Sequence, residues 1–287
     1  MPDWAKVVDE ARRLIYEYNM QGIRPTLRQV HYRLASSQVG GYQNTQSCYK
    51  KLSEKLVKAR MQGLIPWDSL ADHVRYRRWN RPFGGEVPDI DELIEMATCD
   101  VGEDPWDYMK KRVILWLEKD ALADLIYDAV KGLYVPLSVS RGYSSWTFVY
   151  DNLDILRFNG EVKVFYLGDF DPSGLDIERF TNEAIKYFDV EFEFRRISLT
   201  WDQVQRYGLL PNPTKKADPR AKEYVSVYGD RCWELDSLEP KELQKIVRQE
   251  VEKEIDRDVW KRVMEENEKQ RQKIREELRK ALGPPGG

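Results

Sequence analysis

Between about residues 110 and 200 the chain alternates short apolar runs with amphipathic stretches, and this pattern constrains the fold more than any other feature. "RVILWL", "VPLSV", "EVKVFYLG" and "VEFEFRRI" read as strands, and "KDALADLIYDAVKG", "SSWTFVYDNLDILRF" and "GLDIERFTNEAIKYF" read as the helices between and after them. Continuously apolar strands separated by helices specify a parallel sheet covered on both faces, an α/β fold. Ligands of such sheets gather at the carboxyl ends of the strands. Two of those ends carry acid here. Glu118 closes the first strand, and Asp169 and Asp171 follow the third in "GDFDPSG". Two carboxylates one residue apart at a buried strand end repel each other, so a positive group is expected between them.

The chain ahead of the sheet reads as helical. "DWAKVVDEARRLIYEYN" is amphipathic, and a second helix starts at Thr26, with Gln29 completing a capping box, and runs through "LRQVHYRLAS". A third, "TQSCYKKLSEKLVKARMQ", closes at Gly63. Three short helices followed by "GLIPWDSL" fit a helix-turn-helix or winged-helix unit over residues 1–85. "RYRRWNRPFGGEVPD" reads as a linker from its Pro and Gly content, so 86–109 is assigned as linker and 110–235 as the α/β domain. A Pro- and Lys-rich loop at 207–231 then leads into one long helical region. There Leu243, Val247, Val251, Ile255, Val259 and Val263 recur every four residues, making 236–287 a C-terminal helical region with a disordered "GPPGG" end.

The net charge of −3 averages over a split. Residues 1–85 carry 15 Lys and Arg against 7 Asp and Glu, whereas the remainder carries 31 against 42. A basic N-terminal unit on an acidic body points to double-stranded DNA or another nucleic acid as partner. No apolar run approaches the roughly 18 residues that suggest a membrane span. The N-terminus lacks the charged-then-apolar layout of a secretory leader. Three cysteines, Cys48, Cys99 and Cys232, stand far apart and the only histidines are His31 and His73, so no zinc site is expected. The expected location is cytoplasmic, nucleoid-associated in a prokaryote.

Three carboxylates converging on a sheet edge, without Cys or His, describe a site for a hard cation, Mg²⁺ or Mn²⁺, acting on a phosphodiester. The order strand–Glu–helix, strand, helix, strand–Asp-x-Asp-Pro-x-Gly resembles the toprim domain of topoisomerases, primases and related nucleases. "LEKDA" at Glu118 and "GDFDPSG" at Asp169 and Asp171 match its two acidic motifs. The DxDPxG form is most similar to the topoisomerase VI A subunit and the meiotic double-strand-break protein, with "SRGYSS" at 140–145 as the intervening Gly-containing turn. The resemblance covers about 25–200 and extends loosely into "CWELDSL". It implies a winged-helix unit followed by a toprim domain, with Glu118, Asp169 and Asp171 binding Mg²⁺ beside the scissile phosphate.

The same resemblance supplies a nucleophile. "TLRQVHY" is similar to the family's Arg-x-x-Tyr/Phe-Tyr motif: Arg28 and Tyr32 match, and His31 replaces the aromatic residue. On a helical wheel Leu27, Val30 and Leu34 fall within about 60° of one another, whereas Tyr32 lies about 140° from Leu27. Tyr32 is therefore expected on the face opposite its helix's core, with Arg28 one turn earlier to hold phosphate and favour phenolate. His31, about 40° from Leu27, is expected to make core or helix contacts. Tyr42 and Tyr49 are fallback nucleophiles. On the third helix Cys48, Leu52, Leu56 and Ala59 form the core stripe. Lys50, Lys51, Lys55 and Lys58 join Arg28 as the expected DNA contacts.

The family's design further implies a homodimer in which one subunit's tyrosine approaches the other's metal, a 5′-phosphotyrosyl link to DNA and a separate ATPase partner subunit, since no Gly-rich phosphate loop occurs here. Two other readings stay open: a toprim nuclease that hydrolyses DNA without a covalent intermediate, and a non-catalytic DNA-binding module.

Overall fold

A computed structural model describes residues 2–71, 89–140, 146–214 and 220–282. Residues 72–88, with His73 and the first three residues of the expected linker, the turn after Ser140, part of the Lys-rich loop and the "GPPGG" tail lie outside the described residues.

The α/β region forms as its periodicity requires. Four strands, β1 (Lys111–Leu117), β2 (Leu137–Val139), β3 (Glu161–Leu167) and β4 (Glu193–Ser198), make one parallel sheet in the order β2-β1-β3-β4. Alternate residues of the two central strands point to opposite layers. Val113, Leu115, Leu117, Phe165 and Leu167 pack into one core, and Ile114, Trp116, Val162, Val164 and Tyr166 into another. Both faces are dry, which is why these strands read as unbroken apolar runs. Lys111 pairs with Glu161 and Leu117 with Leu167, so the two central strands end level. Glu118 and Gly168 thus leave the sheet side by side.

The N-terminal unit holds α1 (Trp4–Asn19), α2 (Leu27–Ser37) and α3 (Gln46–Met61) around a core of its own that includes Val7, Ile15, Val30, Leu34, Leu52 and Leu56. The capping box is present: the Thr26 side chain accepts from the Gln29 amide, and the Gln29 side chain accepts from the Thr26 amide at 2.8 Å. Among described residues 2–71 there is no strand beyond a single bridge between Thr26 and Ala71.

Residues 90–109, expected within the linker, instead fold as α4 (Ile90–Thr98) and α5 (Pro105–Met109). The Pro/Gly signal just before them masked two well-capped starts, Asp89 and Asp104. Trp106 of α5 is fully buried in the main core and donates its indole N–H to Leu133 O at 2.7 Å.

The sheet's first layer contains α6 (Ala123–Ala129). The expected second helix is broken at Asn152 into α7 (Trp146–Asp151) and α8 (Leu153–Leu156), because the Asn152 side chain bonds Phe148 O and Ser138 instead of continuing the helix. With α9 (Pro172–Phe188) these form the opposite layer. Two short helices went unread: α10 (Trp201–Arg206), capped by Thr200, and α11 (Ala221–Tyr228), inside the expected loop.

The C-terminal region is two helices, not one. The first, α12 (Pro240–Glu252), buries Leu243, Val247 and Val251 against the sheet and belongs to its core. The chain then turns, Asp256 accepts from the amides of Asp258 and Val259, and α13 (Arg257–Leu282) begins. The every-four apolar stripe concealed this break because Ile255, within the turn, also packs on the core. Asn267 of α13 holds the backbone of Glu103 through two 2.8 Å hydrogen bonds, and Arg275 and Arg279 pair with Glu95 and Asp91 of α4.

Candidate functional site

Glu118 and Asp169 meet where the sheet ends, as expected. The Glu118 carboxylate accepts from the Asp169 amide at 3.0 Å and from the Tyr166 hydroxyl at 2.9 Å. Gly168 permits that approach: a β-carbon there would overlap both the Tyr166 hydroxyl and the Glu118 carboxylate. Asp171 has a different local task. Its Oδ1 accepts from Gly174 N at 2.7 Å and from the Ser173 hydroxyl at 2.8 Å, making it the N-cap of α9 with Pro172 at the first helical position. Below the turn, the largely buried Arg196 donates to the carbonyls of Gly168, Asp169, Gly174 and Leu199 and lies 4.8 Å from the centre of the Tyr166 ring. Burial pulls the Arg196 pKa below its ordinary value, against the opposing pull of Tyr166 and Glu118.

A positive group does stand beside Asp169, the Lys119 ammonium, and the acids that share it are Glu234 and Asp236 rather than Asp171. The strip 232–237 is tied to the Asp169 turn by an antiparallel bridge, with Phe170 N to Trp233 O at 2.8 Å and the reciprocal bond at 3.0 Å. The bridge brings in two further acids, Glu234 and Asp236. Lys119 Nζ lies 2.7 Å from Asp236 Oδ2, 3.0 Å from Asp169 Oδ1 and 3.1 Å from Glu234 Oε2. Burial works against the Lys119 charge, yet Asp236 and Asp169 hold its pKa well above the ordinary lysine value. Burial pushes the Asp169 carboxyl up to about 7, with Lys119 pulling it down and Glu118 and Glu234 adding to the rise. A carboxyl perturbed by burial and like charge at a sheet's carboxyl edge is a mark of a functional site.

The donor set suits a hard divalent cation, since Glu118, Asp169, Asp171, Glu234 and Asp236 offer only carboxylate oxygen. Among the described residues no group is already arranged as a metal cage. Two features account for this: the Lys119 ammonium stands between three of the acids, and Asp171 is turned onto its own helix.

Tyr32 reaches this cluster from the N-terminal unit. It faces away from its own helix's core, as the wheel requires, but it is not an open surface residue: only 1 % of it is exposed. Asn212 donates to its hydroxyl at 2.7 Å and lies 3.4 Å from Glu234 Oε1. Arg28 pairs with Glu234 at 2.7 Å, and Thr26 donates to Asp236 at 3.1 Å. Arg28 is therefore engaged by Glu234 and by the Tyr49 ring, 4.8 Å away. Burial, reinforced by Glu234, pushes the Tyr32 pKa far above its ordinary value, so in this conformation the hydroxyl keeps its proton.

His31 is 3 % exposed and bonds Tyr42 at 2.7 Å and Asn44 at 2.9 Å, a structural placement. Those contacts leave Tyr42 buried in the helical core. On α3, Lys50, Lys51 and Lys58 are exposed, away from the stripe of Leu52, Leu56 and Ala59, and the half-buried Lys55 lies beside that stripe.

The residues missed from sequence are Lys119, Arg196, Asn212, Glu234 and Asp236. Only "WELDS" offered a signal, two acids flanking Leu235, a residue buried in the core. No protein-family profile matches this chain, and no curated protein matches it significantly.

Proposed function

We propose that this chain is a Mg²⁺-dependent DNA-cleaving protein resembling the topoisomerase VI A subunit, with a winged-helix-type unit over 1–85 and a toprim domain over 110–235. The observation that carries the reading is the meeting of two motifs 137 residues apart in sequence. Tyr32 sits one side chain, Asn212, away from Glu234, which shares the Lys119 ammonium with Asp169. Tyr32 is buried where its helix meets the 232–237 strip and is hydrogen-bonded to Asn212, and like charges such as those beside it are costly to gather without a counter-ion.

In this reading Glu118, Asp169 and Asp171 hold Mg²⁺ or Mn²⁺, which when bound supplies charge stabilisation for the phosphate and alignment of the attacking and leaving oxygens. Tyr32 Oη bonds to phosphorus as the 3′ oxygen leaves, the phenolic proton balancing the 3′ alkoxide, and a 5′-phosphotyrosyl link results. Arg28 holds a phosphate oxygen once freed from Glu234. Lys50, Lys51, Lys55 and Lys58 bind the DNA backbone without reading sequence. A homodimer acting with a separate ATPase subunit completes the proposal. Because Tyr32 is covered, the N-terminal unit must part from the 232–237 strip before DNA enters.

A toprim nuclease is the second reading, favoured by the enclosure of Tyr32. Supercoiled plasmid incubated with Mg²⁺ or Mn²⁺, then denatured with and without protease, separates the two. Protein trapped on 5′ ends by the natural chain and not by Tyr32→Phe is the expected result. Equal cleavage by Tyr32→Phe would leave the nuclease, and cleavage by Asp169→Ala would remove the metal site from both.

A further inference from the structure

We propose that Lys119 is a resident counter-ion of Asp169 and is displaced from it when a divalent cation binds Glu118, Asp169 and Asp171. This rests on the reading of the cluster as a Mg²⁺ site. An ammonium has three donors, and Lys119 directs its own at Asp169, Glu234 and Asp236, all within 3.1 Å. Of the metal ligands in that reading only Asp169 is shared with the ammonium, and Mg²⁺, which takes oxygen at about 2.0–2.1 Å, would set two cations against that one carboxylate.

The charge balance favours exchange. Lys119 and Arg28 are the cations ion-paired within a group of four carboxylates, Glu118, Asp169, Glu234 and Asp236. The third nearby cation, Arg196, is committed to backbone carbonyls beneath the turn. A divalent ion added beside Asp169 brings the group closer to neutrality and leaves the ammonium less firmly held there. Lys119 also has a way out: it precedes the short turn Asp120–Leu122, its side chain is 21 % exposed, and its four-carbon stem is flexible.

Displacement has two consequences for this chain. In the absence of cation the ammonium holds Asp169 and the 232–237 strip together against their mutual repulsion. With cation bound, the freed ammonium is delivered on the side of the cluster that Glu234 and Asn212 connect to Tyr32, where a DNA phosphate would lie.

Mn²⁺ binding to the full chain, measured by electron paramagnetic resonance, tests this with the metal alone. Lys119→Met and Lys119→Gln are both expected to bind Mn²⁺ at least roughly tenfold more tightly than the natural chain, about 1.4 kcal/mol. In the natural chain, acylation of Lys119 by an amine reagent, read by mass spectrometry, is expected to rise several-fold with Mn²⁺ and not with Na⁺ at equal ionic strength. The acylation measurement stands even where a variant fails to fold. Binding by the natural chain with unchanged or weaker affinity in the variants, or Lys119 acylation indifferent to Mn²⁺, would overturn the displacement and leave the cation site. Absence of millimolar Mn²⁺ binding by every protein would overturn the cation site and the displacement with it.

Discussion

The two ends of the one sheet carry clusters of similar composition and opposite character. At the amino end Lys111, Lys163 and Arg195 stand on the strands and meet Glu254 and Glu250 near the end of α12, with Lys111–Glu254 at 3.0 Å, Lys163–Glu254 at 2.9 Å and Arg195–Glu250 at 3.1 Å. Glu161 and Glu193 complete it. Burial opposes the Glu254 charge, but Lys163 and Lys111 outweigh it and pull its carboxyl below the ordinary value. At the carboxyl end Lys119 serves three acids, and Asp169 is pushed up. The first cluster sets three cations against four acids and fastens a helix to the sheet. The second gathers more negative charge than its surroundings neutralise, which stability alone does not require.

Substitution at each end should separate these roles. Asp169→Asn is expected to reduce plasmid cleavage by roughly a thousandfold, the scale of a lost electrostatic contact to the transition state. Its urea midpoint should hold or rise, because a crowded charge is removed. A fall in that midpoint would place Asp169 among the fold's supports. Glu254→Gln should do the reverse, leaving cleavage intact while costing about 1–3 kcal/mol in urea unfolding, since Lys111 and Lys163 lose their shared, largely buried partner.

Acid should sharpen the contrast with a smaller effect. Burial holds His31 below its ordinary value of 6.5, against the support of its Asn44 hydrogen bond. The unfolded chain therefore takes up a proton that the folded chain refuses, and stability from this group falls as pH drops below 6.5. His31 braces Asn44, which bonds Pro211 O and Asn212 beside Tyr32, so the interface at the carboxyl end responds first. The depressed Glu254 contributes stability that is present above 4.5 and lost as pH falls through its folded value. Asp169, pushed up to about 7, takes up a proton on folding and adds stability as pH falls from there, so the His31 loss is read as the difference in urea midpoint between the natural chain and His31→Gln, with the Glu254 loss following below 4.5.

The strands, both acidic turns and the face of Tyr32 were legible because each follows a short-range rule: apolar continuity, residue spacing or helical angle. Tyr32's burial was not, since a helix's outer face can meet solvent or another part of the chain with the same sequence. Lys119 stood in the open within "LEKDA", but a lysine after a strand carries no mark of the three carboxylates it will meet. Glu234 and Asp236 lie on an irregular strip whose position depends on the Phe170–Trp233 bridge, a contact between distant residues. The helices at 90–109 were hidden by neighbouring Pro and Gly, and the α12–α13 break by the apolar Ile255.

The bridge between Phe170 and Trp233 also imposes an order of events during synthesis. Arg28 and its partner Glu234 are 206 residues apart, so the tyrosine helix emerges from the ribosome long before the strip that faces it. At roughly 5–20 residues per second, that interval lasts about 10–40 seconds. Throughout it the growing chain has a tyrosine and basic helices but no closed carboxylate cluster beside them. A chain that stops short of Trp233 can fold its three N-terminal helices around their own core, yet it lacks the strip that covers Tyr32 and completes the acids. Under the proposed function, premature termination would thus yield a fragment that keeps the basic helices and lacks the acids needed for cleavage.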